Sequence, residues 1–222
     1  MNVFNIIGPV MIGPSSSHTA GACRIGRVVN KLAGGQKISD VKIILSGSFA
    51  RTGKGHGTRL AILAGIMGYH SYSEEIRTAE EIARSRGIHF EFQNEDISDA
   101  HPNTTRIFYR LENGYKGFVE GASIGGGNIK ITRIDGMDVN FTGESNTLLV
   151  LHKDTPGVIA NVTNLMYFNY SSLNICNFSL SRREKGGEAL MTIEIDQVPP
   201  DQLIADLSRV ENVKNAIMIR AV

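Results

Sequence analysis

The order of hydrophobic patterns in residues 146–222 constrains the fold more than any other feature of the sequence. Runs that alternate like strands and runs spaced like helices follow one another as strand, helix, strand, strand, helix, strand. In so short a segment, this order is typical of a ferredoxin-like βαββαβ unit. The sequence predicts strands over 147–152, 173–180, 190–195 and 213–219, and helices that begin after the turns at 154–157 and 199–200.

Residues 1–145 mix helical and strand patterns without that order. The polar stretch at 143–146 separates the two regions, so we predict an α+β protein with a mixed α/β domain over 1–145 and a ferredoxin-like domain over 146–222. Asn113-Gly114 and Asp135-Gly136 predict hairpin turns. The front domain should hold helices over 14–35, 60–64 and 74–86, strands over 41–45, 88–92, 107–111 and just before 123–127, and a polar loop over 47–58.

The bulk composition excludes several classes of protein. Of the 222 residues, 41% are hydrophobic and 20% charged, and the net charge of +1 leaves no basic excess for binding nucleic acid. Residues 1–7 lack the regions of a signal peptide, and no apolar run approaches the roughly 20 residues of a membrane span, so we expect a cytoplasmic protein. Cys23 and Cys176 are far apart, which argues against a disulfide framework and against a metal or iron–sulfur site built by this chain alone.

A cluster of polar residues opens the first predicted helix. It consists of Ser15, Ser16, Ser17, His18 and Thr19. Backbone N–H groups at a helix start favour an anion, and hydroxyls and an imidazole add adjustable donors and acceptors. One serine would serve only as a helix cap, but five such residues exceed what capping needs. The cluster therefore favours a site for a carboxylate or a phosphate.

A second motif, TGKGHGT, occupies residues 52–58. Its glycines let the backbone approach a ligand closely, but it lacks the GK[ST] ending of a Walker A loop. His56 stands between two glycines, which is poor core material, so we expect it in a cleft. A plain flexible loop explains this segment equally well.

Two further motifs are weak when taken alone. HPNT at 101–104 is also a common turn sequence, and the glycines of SIGGG at 123–127 are also typical of a tight turn. Together the motifs hold His18, His56 and His101 in loops rich in small or polar residues. Histidines in such places can carry protons near neutral pH.

Read in order, GPSSSHT at 13–19, TGKGHGT, HPNT and SIGGG closely resemble the β subunit of the bacterial iron–sulfur-dependent L-serine dehydratases, along essentially the whole chain. The C-terminal unit resembles an ACT domain, a regulatory module of amino-acid enzymes. The resemblance implies that L-serine loses water to give aminoacrylate, which becomes pyruvate and ammonia. It also implies a [4Fe–4S] cluster that acts as a Lewis acid and is ligated by cysteines of a partner α subunit.

The same resemblance implies that this chain contributes substrate-binding and proton-transfer groups across the subunit interface. His56 is the favoured proton-transfer residue and His18 is the second catalytic candidate. Arg59 departs from the family, which usually has Asp after GHGT, and an arginine cannot orient a histidine as a carboxylate can. The implied substrate-binding residues are Ser15, Ser16, Ser17, Thr19, Thr52, Thr58, His101, Asn103, Ser123, Gly125 and Gly126.

The C-terminal unit carries a second resemblance, to the serine-sensing ACT domain of phosphoglycerate dehydrogenase. It rests on the turn at 152–157, HKDTPG, and on a later Asn. It implies an effector site formed by His152, Asp154, Gly157 and Asn174, and homodimerisation through this domain. Asp154 replaces an Asn of that pattern, and its carboxylate would favour an amino group but repel a carboxylate. A domain that only dimerises is the alternative.

Two other functions stay open at this point. A non-catalytic amino-acid-binding regulatory protein would explain the ACT-like domain, but not a large front domain with three loop histidines. A phosphate-binding enzyme would use the glycine-rich loops, but the sequence lacks a Walker pattern and an evident Asp/Glu metal cluster.

Overall fold

The computed structural model describes residues 9–53 and 55–220. The stretch 1–7, where the sequence predicts no signal peptide, and Lys54 of the glycine-rich motif lie outside the described residues. The chain divides into two compact units, residues 1–135 and 136–222. This division falls a few residues before the boundary predicted at 143–146.

The front unit has helices and a mixed sheet. Its strands follow the order β2-β1-β3-β4-β5; β1 and β2 are parallel and the other neighbours are antiparallel. A π-helical turn, Ser16–Gly21, runs directly into the first α-helix, and a 3₁₀ turn, Glu74–Thr78, into the fourth. The elements are α1 Ala22–Leu32, β1 Ile38–Leu45, α2 Gly47–Thr52, α3 Thr58–Ile66, α4 Ala79–Ser85, β2 His89–Asn94, β3 Thr104–Leu111, β4 Lys116–Gly125 and β5 Asn128–Ile134.

One predicted loop is partly a helix. The sequence predicts an irregular segment over 47–58, whereas α2 occupies its first half. Phe49 is fully buried and anchors this helix. Gly47 has φ +54°, and a Cβ there would lie 2.5 Å from the Pro102 carbonyl oxygen, so only glycine fits this helix start. The prediction failed because one buried aromatic residue outweighs the low helix propensity of the glycines around it.

Helices α1 and α3 pack backbone against backbone. A Cβ on Gly26 would lie 2.2 Å from the Ile62 carbonyl oxygen, and one on Gly65 would lie 2.0 Å from the Cys23 carbonyl oxygen. Near the far end, the Asn30 amide donates to the Ile66 carbonyl oxygen at 3.0 Å. The first half of α1 therefore lies directly against the second half of α3, with no side chain between the two backbones at these glycines.

The turns of the front unit follow the predicted chemistry. Asn113-Gly114 joins β3 to β4, and Gly114 has φ +89°. Asp135 and Gly136 have φ values of +50° and +79°, as a type I′ turn requires. Between β4 and β5, Gly125, Gly126 and Gly127 all have positive φ.

The second unit contains the ferredoxin-like order that the sequence predicts. Its antiparallel sheet has the order β10-β7-β9-β8, so the first and third strands of the βαββαβ pattern lie in the centre. Apolar residues of α5 and α6 pack on one sheet face, with Val158, Val162, Leu203 and Leu207 all buried. This confirms the predicted fold class. The elements are β6 Met137–Phe141, β7 Asn146–Lys153, α5 Val158–Asn169, β8 Ile175–Arg182, β9 Glu188–Ile195, α6 Gln202–Leu207 and β10 Val213–Ile219.

Among residues 9–53 and 55–220, no helix combines the length and the apolar character needed to cross a bilayer.

Candidate functional site

His18 lies at the centre of a group of hydroxyls in the front unit. Its Nδ1 atom is 3.3 Å from Ser15 Oγ and 3.2 Å from Ser17 Oγ. Its Nε2 atom is 3.1 Å from Ser48 Oγ, on α2. The ring also packs edge-on against Phe49, with the centroids 5.3 Å apart. Both ring nitrogens are thus held in place by neighbours from two elements.

The surroundings of His18 favour a neutral ring. The side chain is buried, with 9% exposed. Burial lowers the pKa of His18 and the neighbouring His56 lowers it further, while a hydrogen bond to the Ser48 backbone raises it, with a net lowering. A neutral imidazole keeps one nitrogen lone pair, so His18 is suited to accept a proton at neutral pH.

His56 lies beside His18, as the two motifs require if they form one site. The ring centroids are 5.1 Å apart. The Thr19 hydroxyl donates to the His56 carbonyl oxygen at 3.4 Å, which ties the helix start to the glycine-rich loop. The His56 Nδ1 atom is buried and has no hydrogen-bond partner among the described residues. One ring nitrogen of His56 is therefore unsatisfied until something else approaches it.

Two threonines of the glycine-rich loop are less accessible than the sequence predicts. Thr52 donates to the Ser48 carbonyl oxygen at 2.9 Å within α2. Thr58 is fully buried at the start of α3, and its hydroxyl has no partner among the described residues. In the described part of the chain, the Thr58 hydroxyl is therefore unsatisfied while the Thr52 hydroxyl is already used within α2.

The HPNT and SIGGG motifs lie against this site. Ser123 N–H donates to the Asn103 carbonyl oxygen at 3.1 Å, and the Asn103 amide donates back to the Ser123 carbonyl oxygen at 3.4 Å. A Cβ on Gly21 would lie 2.1 Å from Ser123 Oγ, so the SIGGG strand packs directly on the helix start. The Asn103 Oδ1 and Ser123 Oγ atoms are buried without partners in the described part of the chain. The four motifs thus meet within one unit.

Three residues predicted to bind substrate have local roles in the structure. His101 is exposed, and its Nδ1 accepts from the Asn103 N–H at 3.1 Å within the same turn. Gly125 and Gly126 form the β4–β5 turn, where their positive φ values favour glycine whether or not a ligand is present. Within residues 9–53 and 55–220, no hydrogen bond or ring contact joins His101, Gly125 or Gly126 to the histidine pair.

Arg59 does not replace the missing carboxylate. Its guanidinium stacks on the Phe92 ring at 5.3 Å and reaches Asn94 Oδ1 at 3.5 Å, at the end of β2. The side chain therefore packs against the sheet, with its long stem and planar head on an aromatic face. These contacts explain the position of the Arg59 side chain, and none of them orients a histidine.

Sequence reasoning missed Ser48. It lies in the glycine-rich segment, but the expectation of a flexible loop gave no reason to select one hydroxyl there. Its backbone N–H donates to the Pro102 carbonyl oxygen at 2.6 Å, so HPNT fixes the position of the residue that contacts His18. The signal that could have revealed it is Phe49, an aromatic residue inside a polar run, which marks a buried and therefore ordered segment.

The arrangement is suited to an anion beside two histidines. The helical segment from Ser16 begins beside the loop that leads into α3, and the first N–H groups of a helix favour an anion. The Ser16 hydroxyl takes part in no hydrogen bond within residues 9–53 and 55–220, and its side chain is half-buried. Anionic ligands with a removable proton match these groups.

In the second unit, the predicted effector residues do not come together within one chain. His152 is buried, its Nδ1 lies 2.8 Å from the Lys153 carbonyl oxygen, and its Nε2 has no partner in the described chain. The Asn174 amide instead donates to Asp196 at 2.6 Å. In the β7–β9 register, His152 pairs with Ala189 and Asn146 pairs with Ile195. Asn174 lies at the end of the sheet marked by the second pair, because the next residue, Ile175, also pairs with Ile195. Six residue steps separate the two pairs, so His152 and Asn174 lie about 20 Å apart.

The Asp154 carboxylate already accepts hydrogen bonds from neighbouring residues of its own chain. It accepts from Arg182 at 2.7 Å and from the Gly186 N–H at 3.0 Å. The hydrogen bond from Gly186 and the pair with Arg182 hold the pKa of Asp154 below its usual value. Its carboxylate therefore holds the turn after β8 to the loop that follows β7. Gly157, with φ +90°, ends that loop and caps the start of α5.

The front unit matches a known family model. The model describes the serine dehydratase beta chain, and it matches residues 2–133, more than half of the 222 residues. The chain belongs to the serine dehydratase beta-chain family.

Relatives of this family member match it almost end to end. It is 46% identical to the probable L-serine dehydratase, beta chain, of Bacillus subtilis (strain 168), over 96% of this chain and 94% of the relative. It is 36% identical to the L-serine dehydratase, beta chain, of Peptoniphilus asaccharolyticus, over 97% of this chain and 96% of the relative. A more distant match, 26% identical, is D-3-phosphoglycerate dehydrogenase of Synechocystis sp. (strain ATCC 27184 / PCC 6803 / Kazusa), over 88% of this chain and 35% of the relative.

The two cysteines of this serine dehydratase beta chain belong to different units. Among its described residues, no group of three or more His, Cys, Asp or Glu is placed to hold a metal. Cys23 is buried in the core and its thiol donates to the Tyr69 carbonyl oxygen at 3.3 Å, and burial raises the pKa of this thiol to about 12. Cys176 is exposed in the other unit. A cluster needs several thiolates at one place, and these two cysteines do not fit it.

Proposed function

We propose that this chain is the β subunit of an L-serine dehydratase that converts L-serine to pyruvate and ammonia. In this proposal a [4Fe–4S] cluster is ligated by the cysteines of an α subunit, and the enzyme works in the cytoplasm. The observation that carries the proposal is the pair of histidine rings, 5.1 Å apart where the helical turn from Ser16 meets the loop that leads into α3, in a chain similar to two L-serine dehydratase beta chains.

The substrate carboxylate would bind at the helix start. The Ser16 and Ser17 N–H groups would supply donors, because those of His18 and Thr19 already donate to Ser15. The Ser16 hydroxyl, which makes no hydrogen bond among the described residues, would supply another. Charge-assisted hydrogen bonds of this kind are stronger than neutral ones. Thr19 is not available for this role, because its buried hydroxyl already donates to the His56 carbonyl oxygen.

His56 would take the α-proton of L-serine. Among the described residues its Nδ1 has no hydrogen-bond partner, whereas both nitrogens of His18 lie within hydrogen-bond distance of serine hydroxyls. Loss of the α-proton and of the hydroxyl as water leaves aminoacrylate, which tautomerises and is hydrolysed to pyruvate and ammonia. His18 would stay close to the substrate as a neutral imidazole, because burial and the neighbouring His56 lower its pKa.

The direct test is reassembly with the α subunit under anaerobic conditions. We expect pyruvate from L-serine only when both chains are present, and no stoichiometric cluster on this chain alone. Iron and sulfide analysis of the isolated chain checks the second point. A full-occupancy cluster on this chain would overturn the assignment of the cluster to the partner.

A non-catalytic regulatory protein is the second candidate function. The observation that favours it is the match to D-3-phosphoglycerate dehydrogenase, which spans 88% of this chain and therefore includes much of the front unit. D-3-phosphoglycerate dehydrogenase is named for a different reaction. It would share the front unit with this chain if that unit binds a ligand and takes no part in catalysis. Turnover that survives loss of both His18 and His56 in the reassembled enzyme would favour this alternative.

The effector proposal needs two copies of the chain. His152 and Asn174 lie about 20 Å apart in one chain, farther than one amino acid reaches, so a ligand that contacts both would lie between two second units. This fits the expected homodimerisation. Calorimetry of the full chain with a panel of small amino acids should then show binding that weakens as the dimer is diluted into monomers. Absence of binding across the panel with the dimer intact would favour a purely structural role.

A further inference from the structure

Arg24 ties the first helix to the glycine turn between β4 and β5. Its Nη1 donates to the Gly127 carbonyl oxygen at 2.9 Å, across 103 positions of sequence. The side chain is partly buried on α1, and within residues 9–53 and 55–220 its guanidinium takes part in no ion pair and in no other hydrogen bond. A hydrogen bond from a charged donor is stronger than one between neutral groups, so this bond is a strong link between the two elements.

The linked turn packs on the helix start without a side chain between them. Gly127 has φ +86°, and a Cβ there would lie 2.8 Å from Pro9 Cγ. A Cβ on Gly21 would lie 2.1 Å from Ser123 Oγ. Either Cβ would have to displace a neighbouring atom, so the close contact requires glycine at both positions.

The strand that carries Ser123 is irregular where it meets the turn. The pairing register of β4 and β5 shifts between Ser123 and Gly125, as it does at a β-bulge. Such an irregularity locally disrupts the ladder of hydrogen bonds and re-aims a side chain. The position of Ser123 therefore depends on contacts outside the ladder, and the bond from Arg24 to Gly127 holds the same turn.

Ser123 connects this turn to the histidine pair. Its N–H donates to the Asn103 carbonyl oxygen of the HPNT turn at 3.1 Å. The Ser48 N–H donates to the preceding carbonyl oxygen of the same turn at 2.6 Å. Ser48 Oγ lies 3.1 Å from His18 Nε2. Because His18 and Arg24 belong to one continuous helical segment, these contacts form a ring that the Arg24 bond closes.

We infer that Arg24 is a positioning residue. Its bond to the Gly127 carbonyl oxygen holds the SIGGG turn on the helix start and, through Ser123 and the HPNT turn, keeps Ser48 beside His18. Among the described residues, no hydrogen bond joins Arg24 to either histidine, so it acts on the site only through these contacts. The inference rests on the proposed function only where it concerns turnover.

Hydrogen exchange of the isolated full chain, followed by NMR, tests this link without the partner. Arg24→Met keeps an apolar stem and removes the donors. We expect the Ser123 and Ser48 amides to exchange about 10-fold faster or more, the range expected for one lost hydrogen bond from a charged donor. The amide of Ile43, which pairs with strands on both sides, should exchange at the wild-type rate.

Matched variants separate positioning from general stabilisation. Arg86→Met removes another guanidinium that donates to a backbone carbonyl oxygen, that of Met67 at 3.3 Å, away from the four motifs. It should leave kcat and the exchange of the Ser123 and Ser48 amides unchanged. Arg24→Lys keeps a cationic donor and should keep most of the protection. If Arg24→Met does not fold, Arg24→Gln takes its place and should exchange faster than Arg24→Lys.

Turnover tests the use of this link in catalysis. In the reassembled enzyme, Arg24→Met should lower kcat by about 10-fold or more with little change in KM, because a misplaced site slows the chemical step while the N–H groups at the helix start still bind the carboxylate. Faster exchange with an unchanged kcat would contradict this use.

Wild-type exchange of the Ser123 and Ser48 amides in a folded Arg24→Met overturns the inference. So does a uniform rise that includes Ile43, which would make Arg24 a general stabiliser of the unit. A wild-type enzyme that forms no pyruvate would instead contradict the proposed function, and the exchange results on the isolated chain would not change.

Discussion

The two units of this chain hold their candidate residues in opposite ways. In the front unit, residues from motifs far apart in the sequence meet at one place, and His18 contacts neighbours from its own helix start, from α2 and from the glycine-rich loop. In the second unit, His152 and Asn174 were selected by a pattern of similar quality, yet they lie at opposite ends of the sheet. Sequence motifs alone do not show which of these outcomes to expect.

The cause of the difference is the direction of the elements. In the front unit, the helical turn that begins at Ser16 lies against the loop that leads into α3, where Thr19 donates to the His56 carbonyl oxygen, so polar residues of the two motifs meet. In the second unit, His152 ends β7 and Asn174 precedes β8, and the antiparallel register places these points about six residues apart along the sheet. A single chain therefore brings the front-unit residues together, whereas the effector site that we propose would require a second copy.

The largest effect should follow from His56→Ala in the reassembled enzyme. General acid–base groups contribute about 10²–10⁴ in rate, so we expect kcat to fall by that range with a modest change in KM. Steady-state pyruvate formation is the measurement, and circular dichroism and partner binding must match the wild type. If His18→Ala abolishes turnover while His56→Ala does not, the roles assigned to the two histidines are reversed.

Gly65→Ala should damage the front unit by forcing its helices apart. The added Cβ would lie 2.0 Å from the Cys23 carbonyl oxygen, a backbone atom that cannot move alone. We expect the free energy of unfolding of the front unit to fall by about 2–3 kcal/mol, in the range for overpacked cores, although alanine favours helices. Gly55→Ala is the control in urea unfolding, because its nearest neighbour would lie at 3.8 Å. Equal stability of the two variants would contradict the close helix contact.

Ser16→Ala should act on substrate binding. Loss of one hydrogen bond to a carboxylate should raise KM by roughly 10-fold while kcat changes little, since this bond exists in both ground and transition states. The matched control is Ser71→Ala, which removes a hydroxyl that donates to the Val10 carbonyl oxygen away from the histidine pair. A fall in kcat at unchanged KM would place Ser16 in the chemical step instead.

The smallest effect should come from Arg182→Ala in the second unit. Its pair with Asp154 is half exposed, and exposed pairs contribute about 1 kcal/mol or less. We expect a change in the free energy of unfolding within that limit and no change in kcat. Lys185→Ala, in the same exposed turn, is the control. A strong loss of turnover in Arg182→Ala would show that the second unit supports the front site directly.

Much of this fold follows from local sequence. Periodicity locates the strands and helices of the second unit within a few residues, and the hairpin at Asn113-Gly114 follows from turn chemistry. The contacts of Gly26 and Gly65 do not follow from local sequence, because a glycine inside a helical run indicates only a low helix propensity. The convergence of His18 with Ser48 depends on exactly such long-range packing, which explains why the sequence pointed to the motifs but not to Ser48.

The central claim is that His18 and His56 form one catalytic unit where the helix start meets the loop that leads into α3. Its most direct test is a double-mutant cycle of kcat in the reassembled enzyme, with His18→Ala, His56→Ala and the double variant. Residues that act as a unit are strongly non-additive, so we expect the double variant to be within about 10-fold of the slower single variant. Losses that multiply, with the double variant slower by the product of the two single effects, would contradict the claim.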